Sequence, residues 1–274
     1  MGMNQKINLY QIAYDSKTLQ QVQGSGFLLL DNLANERPDW YEYWPMRQFL
    51  LRETLEEDAF YGFFSPKFYA KTGLDHAATL LQVSQAAQVH AAEVVLFGPQ
   101  PDMGASFLNV YEQAEVFDPG FIQVAQDFVR LKGVEIALGS LVMDTRQIVF
   151  SNYLVAKPAF WREWFVWSEL LYSCAEDTNH PLHSGLTYST NYAANAQRKV
   201  FLQERLASLL LTLQPRFQTH AVNPFGFGWS MAKFRNAPEA VYINDALKRA
   251  FRDTGFPQYM DAFRKNRERF VSGD

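Results

Sequence analysis

Cysteine, net positive charge and long apolar runs are all scarce in this sequence, and each scarcity removes a class of protein. The one cysteine in 274 residues, Cys174, excludes an internal disulfide and a cysteine-based metal site. Lys and Arg number 25 against 29 Asp and Glu, a formal net charge of −4. That mildly acidic balance offers no footprint for duplex nucleic acid. The apolar runs 27–30 and 209–211 fall far short of the ~20 residues a membrane helix needs. Residues 1–7 lack the apolar stretch of a signal peptide, so a cytoplasmic protein without a transmembrane segment is expected. No G-x-S-x-G nucleophile elbow occurs. Gly24-x-Gly26 lacks the third glycine of a dinucleotide fingerprint and reads as a turn.

What is abundant is aromatic. Phe 23, Tyr 13 and Trp 6 make 15% of the chain, within a hydrophobic share of 48%. A packed core uses part of that excess, and a cleft that stacks rings or sugars is a second use. At roughly 150 residues per domain the length permits one domain or two. The patterning favours one.

Apolar alternation predicts strands over 8–14, 27–30, 59–65, 93–97, 147–157 and 217–222. Helical spacing predicts helices over 40–53 (kinked or broken at Pro45), 74–89, 106–116, 121–132, 159–175, 196–213, 237–253 and 257–270. Alternating elements of this kind make an α/β fold with a mostly parallel sheet flanked by helices. Residues 1–222 carry that fold, and 223–274, an aromatic loop and two helices, pack on the same domain.

Metal signals are thin. His180 and His183 are separated by Pro181, and Glu56-Glu57-Asp58 reads as a solvated turn before a strand. Cys174 sits in an aromatic helix and reads as packing. More telling are the polar residues at the predicted strand ends: Asp15, Asp31-Asn32, Ser65-Pro66-Lys67 and Lys157. Open α/β sheets bind ligands at the C-terminal ends of their strands. Lys67 and Lys157 would suit a diphosphate, or they are ordinary solvated charges. Asn152, amid apolar neighbours, is a ligand contact or a satisfied buried amide.

Four blocks in order carry a resemblance: Asp31-Asn32 with Asn35, Trp40 and Glu42; Tyr61 to Phe68 (YGFFSPKF); Phe150 to Lys157 (FSNYLVAK) before Phe160, Trp161 and Trp164; and Lys199 to Leu206 (KVFLQERL). Together they span about residues 8–210. The chain resembles bacterial glycosyltransferase-like proteins of exopolysaccharide and capsule biosynthesis with a GT-A type fold, so the resemblance implies a single GT-A-like (Rossmann-like) domain. It further implies transfer of a sugar from a nucleotide-sugar donor to a glycan or lipid-linked acceptor. Asp31 and Asn32 would then read the ribose or base, and Tyr14 or Trp40 would stack on the nucleobase. Lys67, Lys157 or Arg47 would stabilise the leaving diphosphate. Glu204 and Asp144 are the two candidates for general base, Glu204 having a helix-surface ion pair with Arg205 or Lys199 as its alternative. Phe227 and Trp229, in a Gly-aromatic loop, would form a lid over the sugar or a packed surface turn. One departure matters: the D-x-D pair that would hold Mn²⁺ or Mg²⁺ is missing, and Lys67 stands in its place. A metal-independent transferase and a non-catalytic nucleotide- or glycan-binding or scaffold protein of the same fold therefore both stay open.

Overall fold

Alternation along each strand assigns its residues to the two faces of one sheet. The computed structural model describes residues 5–191, 196–231 and 235–271. Its strands are β1 (Ile7–Ala13), β2 (Leu28–Asp31), β3 (Phe60–Phe64), β4 (Val94–Leu96), β5 (Leu154–Ala156) and β6 (Thr219–Ala221), in the order β2-β1-β3-β5-β4-β6. β1 pairs in parallel with β2 and β3, and β4 with β6. β5 lies antiparallel between β3 and β4. Five strands thus point one way and β5 points back, which makes the sheet mixed.

Each face has its own core. Tyr61 and Phe63 of β3, Val94 and Leu96 of β4, and Leu154 and Ala156 of β5 share a cluster with α2 (Tyr43–Arg52), α6 (Val110–Phe117), α7 (Phe121–Leu131), α8 (Pro158–Glu176) and α10 (Arg198–Leu213). Their neighbours Phe60, Phe64, Val95 and Val155 cover the other face under α3 (Phe68–Thr72) and α4 (His76–His90). Many of the aromatics are therefore core: Trp161 donates its ring N–H to the Tyr61 carbonyl at 3.0 Å and meets Phe63 and Trp164 edge to face. Gly62 is required on the second face, since a Cβ there would come within 2.7 Å of Val155 Cγ2. The one-turn helix α9 (His183–Leu186) precedes α10, and two further helices, α11 (Pro238–Thr254) and α12 (Pro257–Val271), pack on each other, with α11 also on α5 (Pro101–Ser106), within one domain.

Several elements depart from the sequence reading. A helix α1 (Ser16–Gln23) fills the stretch after β1, opened by a capping box in which Asp15 accepts from Thr18 N and the Thr18 hydroxyl accepts from Asp15 N. The strand read over 147–157 keeps only the three residues of β5. Asp144 starts a turn, with Gln147 N on its carbonyl, and Ser151 and Asn152 take φ of +62° and +52°. The helix read over 106–116 begins at Val110, where Asn109 caps Tyr111 N and Glu112 N. Pro45 falls in the first turn of α2, where a missing N–H costs no helical bond. Among the described residues no helix is long and apolar enough to cross a membrane. Residues 1–4, part of the segment read for a leader, lie outside the described residues.

Candidate functional site

After β1 the chain builds β2 on one side and β3 on the other, so strand order reverses between β1 and β3. In open α/β sheets the C-terminal edge at such a reversal is a ready crevice. Tyr14 and Asp15 follow β1 there, and Ser65, Pro66 and Lys67 follow β3. Because β5 runs backwards, its entry residues, Ser151 and Asn152, reach the same edge.

Two glutamates and two lysines meet at this edge. Glu42 is the N-cap residue of α2, yet its side chain makes no cap bond. Burial pushes its carboxyl pKa up and nearby Glu204 adds to the rise, while Lys71 and Lys67 oppose it. Glu204, from α10, accepts the backbone N–H of Ser151. Lys71 donates to Ser151 Oγ at 2.7 Å and lies 5.4 Å from the centre of the Tyr153 ring. Lys67 precedes α3 and is exposed, one helical turn from Lys71. Tyr153 shares a 2.5 Å hydroxyl contact with Ser65, and burial raises its phenol first, with Glu42 and Glu204 adding to it. Burial likewise raises the phenol of Tyr14, helped by Asp15 and Glu42; 40% of Tyr14 is exposed. Beneath them, Asn152 Nδ2 donates to Gln203 Oε1 at 3.0 Å.

Of the residues singled out from sequence, Tyr14, Lys67, Asn152 and Glu204 come together here. Asp31 and Asn32 stand at the same edge one strand further out, where Asp31 accepts from Leu33 N and Asn32 N donates to the Ala13 carbonyl. Phe227 is packed into the core beside Phe68 and Phe97. Trp229 donates to the Phe225 carbonyl at 3.1 Å. Their loop is pinned at this edge: Gly228 N donates to the Lys71 carbonyl at 2.7 Å, and Gln100 N to the Gly228 carbonyl at 2.9 Å. That is the packed-turn alternative for this loop.

The remaining four are placed elsewhere or are committed. Lys157 stands at the opposite edge of the sheet, because β5 is reversed; its N–H donates to the Glu93 carbonyl and its ammonium lies 5.8 Å from the Phe60 ring. It cannot share a diphosphate with Lys67. Trp40 is 1% exposed, with its ring N–H on Glu176 at 2.8 Å, which leaves no face to stack on a base. Arg47 binds both oxygens of Glu169 at 2.6 and 2.9 Å. Asp144 is fully buried and held by Arg146, at 2.7 Å, and Arg252, at 3.5 Å.

Sequence reasoning gave Glu42 no role and did not single out Lys71 or Gln203. Glu42 stands in the first turn of the helix read over 40–53, where an acidic residue is expected from the helix dipole alone, so nothing in the sequence marks it out.

Among the described residues no group of three or more His, Cys, Asp or Glu could hold a metal ion. Two glutamates interleaved with two lysines are also a poor fit for Mg²⁺ or Mn²⁺, which prefer oxygen-rich shells. The His180–His183 pair is used structurally, His183 Nδ1 lying 2.8 Å from the Ala175 carbonyl and His180 3.7 Å from Cys174 Sγ. No protein-family model, curated protein or solved structure matches the chain.

Proposed function

We propose that this chain is a nucleotide-sugar glycosyltransferase of the GT-A type, acting on a glycan or lipid-linked acceptor in bacterial surface polysaccharide biosynthesis. The observation that carries this reading is the meeting of Glu42, Glu204, Lys67 and Lys71 at the sheet edge where strand order reverses. The lysines place positive charge where a diphosphate would depart, so charge developing on the leaving oxygen is stabilised as the sugar C–O bond breaks. The acceptor oxygen forms the new bond to the anomeric carbon and gives its proton to a carboxylate. Glu42 suits that role. Burial and Glu204 move its carboxyl pKa upward, which makes it a stronger proton acceptor when ionised. Tyr14, exposed beside Glu42, supplies a ring to stack on base or sugar.

A second reading is favoured by the basic residue, Lys67, that stands where an acidic pair would be expected: a non-catalytic nucleotide- or glycan-binding or scaffold protein on the same fold. One measurement separates the two. UDP-, GDP-, CMP- and dTDP-sugars are screened by thermal shift with and without Mn²⁺, and the binder is then followed for donor hydrolysis. A ligand at 100 Kd adds about 2.7 kcal/mol, a rise of roughly 5–10 °C for a chain of this size. A metal-independent rise with slow donor hydrolysis is the expected result. Binding without turnover selects the second reading, and no shift with any nucleotide overturns the nucleotide-sugar assignment.

A further inference from the structure

Ser151 is held by two ionic side chains in a backbone conformation it does not favour. The turn Phe150–Tyr153 closes with Tyr153 N on the Phe150 carbonyl at 3.3 Å, and both central residues have positive φ, +62° at Ser151 and +52° at Asn152. Turns with two positive φ values are the province of Gly, Asn and Asp; Asn152 tolerates one, whereas Ser151 is out of place. Below the turn, Asn152 Oδ1 and Gln203 Nε2 are buried without a hydrogen-bond partner, in residues only 4% and 3% exposed. Unpaired buried polar atoms disfavour the arrangement that contains them. The turn persists because Glu204 accepts its Ser151 N–H and Lys71 donates to its Ser151 Oγ.

We infer that Ser151 is a positioning residue that couples anion binding at Lys71 to the release of Glu204. This rests on the reading of the edge as a diphosphate site. Lys67, just before α3, and Lys71, within it, lie one helical turn apart, and a phosphate oxygen is a stronger acceptor for an ammonium than a serine hydroxyl. An anion that takes Lys71 removes one of the two clasps. The strained turn then relaxes, its 151 N–H leaves Glu204, and the freed Glu204 oxygen can accept from an acceptor hydroxyl. The donor thereby prepares the acceptor side of the site, and an empty site keeps Glu204 occupied.

Amide hydrogen exchange over residues 149–154 of the full chain tests the coupling, with inorganic pyrophosphate and then UDP as probes at concentrations that saturate their calorimetric signal. Exchange at residue 151 is expected to rise at least tenfold with either probe in the unmodified protein. Lys71→Met should abolish the rise; the Lys71 carbonyl that anchors Gly228 is untouched by this change. Ser151→Gly removes the strain, so it should raise the melting temperature and cut the response below threefold. Unchanged or slowed exchange on saturation overturns the coupling while leaving the diphosphate site standing. An undiminished response in Lys71→Met also overturns it. If neither probe gives a calorimetric signal, the site reading falls and the coupling with it.

Discussion

Two glutamates near α2 have opposite fates. Glu169, on α8, faces the body of the helix and is saturated: both its oxygens bind Arg47, and the Tyr43 hydroxyl adds a third bond at 2.6 Å. Glu42, at the start of the helix, makes no cap bond and has a like charge, Glu204, close by. The first arrangement is what stabilises a fold. The second works against stability, and a half-buried titratable group perturbed by a like charge is a candidate for chemistry rather than packing.

Substitutions can break this contrast from either side. The largest effect is expected for Glu42→Gln, which keeps shape and removes the proton acceptor. The sugar transfer proposed above should fall by about 10²–10⁴-fold, with the melting temperature unchanged or raised because a carboxyl disfavoured by burial is gone. A melting temperature that falls with activity would make Glu42 a structural residue like Glu169. Arg47→Ala comes next: Glu169 loses its charged partner in a half-buried site, for a loss of about 2 kcal/mol and roughly 4–8 °C in Tm, while donor binding is unaltered.

A smaller effect sharpens the comparison through pH. Burial alone would raise Asp39, but Arg37 and Lys199 hold its pKa down at about 2. A carboxyl depressed in the folded state contributes stability above its unfolded pKa, and that contribution is lost as pH falls through the folded value. Asp39→Asn should therefore lower Tm at neutral pH and flatten its decline between about pH 4 and pH 2; parallel curves for the two proteins would argue against the pairing. Lys157→Ala is expected to do least. At the far edge of the sheet it should leave nucleotide affinity unchanged and stability within about 0.5 kcal/mol, and weakened donor binding would place the diphosphate elsewhere.

The strands and most helices were legible because their signals are local. Asp75 caps α4 at Ala78 N as a helix start should, and Pro158 opens α8. The capping box at Asp15 and Thr18 is equally local, but α1 turns only Thr18 and Val22 inward, too few positions to give a helical period. Strand direction is not a local property. The residues of β5 look the same running either way, and only its neighbours β3 and β4 reverse it, so the pattern alone sets Lys157 and Lys67 at one edge. The site was legible in part for a related reason. Lys67 is found from the strand-end pattern, whereas Tyr14 and Glu204 enter only through the resemblance. Glu42 and Lys71 reach the edge from helices, and the positive φ values of Ser151 and Asn152 leave no mark in a stretch that still alternates.

The reversal of β5 also sets the direction of a field. The helix that follows it, α8, is 19 residues long and starts at the far edge, so its partial positive end points away from the site. Its partial negative end arrives near the loop after β2, carrying Glu176 and no basic residue in its last turn. Helix C-termini are stabilised by cations, and here the cations come from outside the helix: Arg37 at 2.7 Å from Glu176, and Lys199 of α10 at 3.7 Å. The Arg37–Asp39–Glu176–Lys199 network, two cations and two carboxylates, thus brings to the end of α8 the basic groups its own last turn lacks.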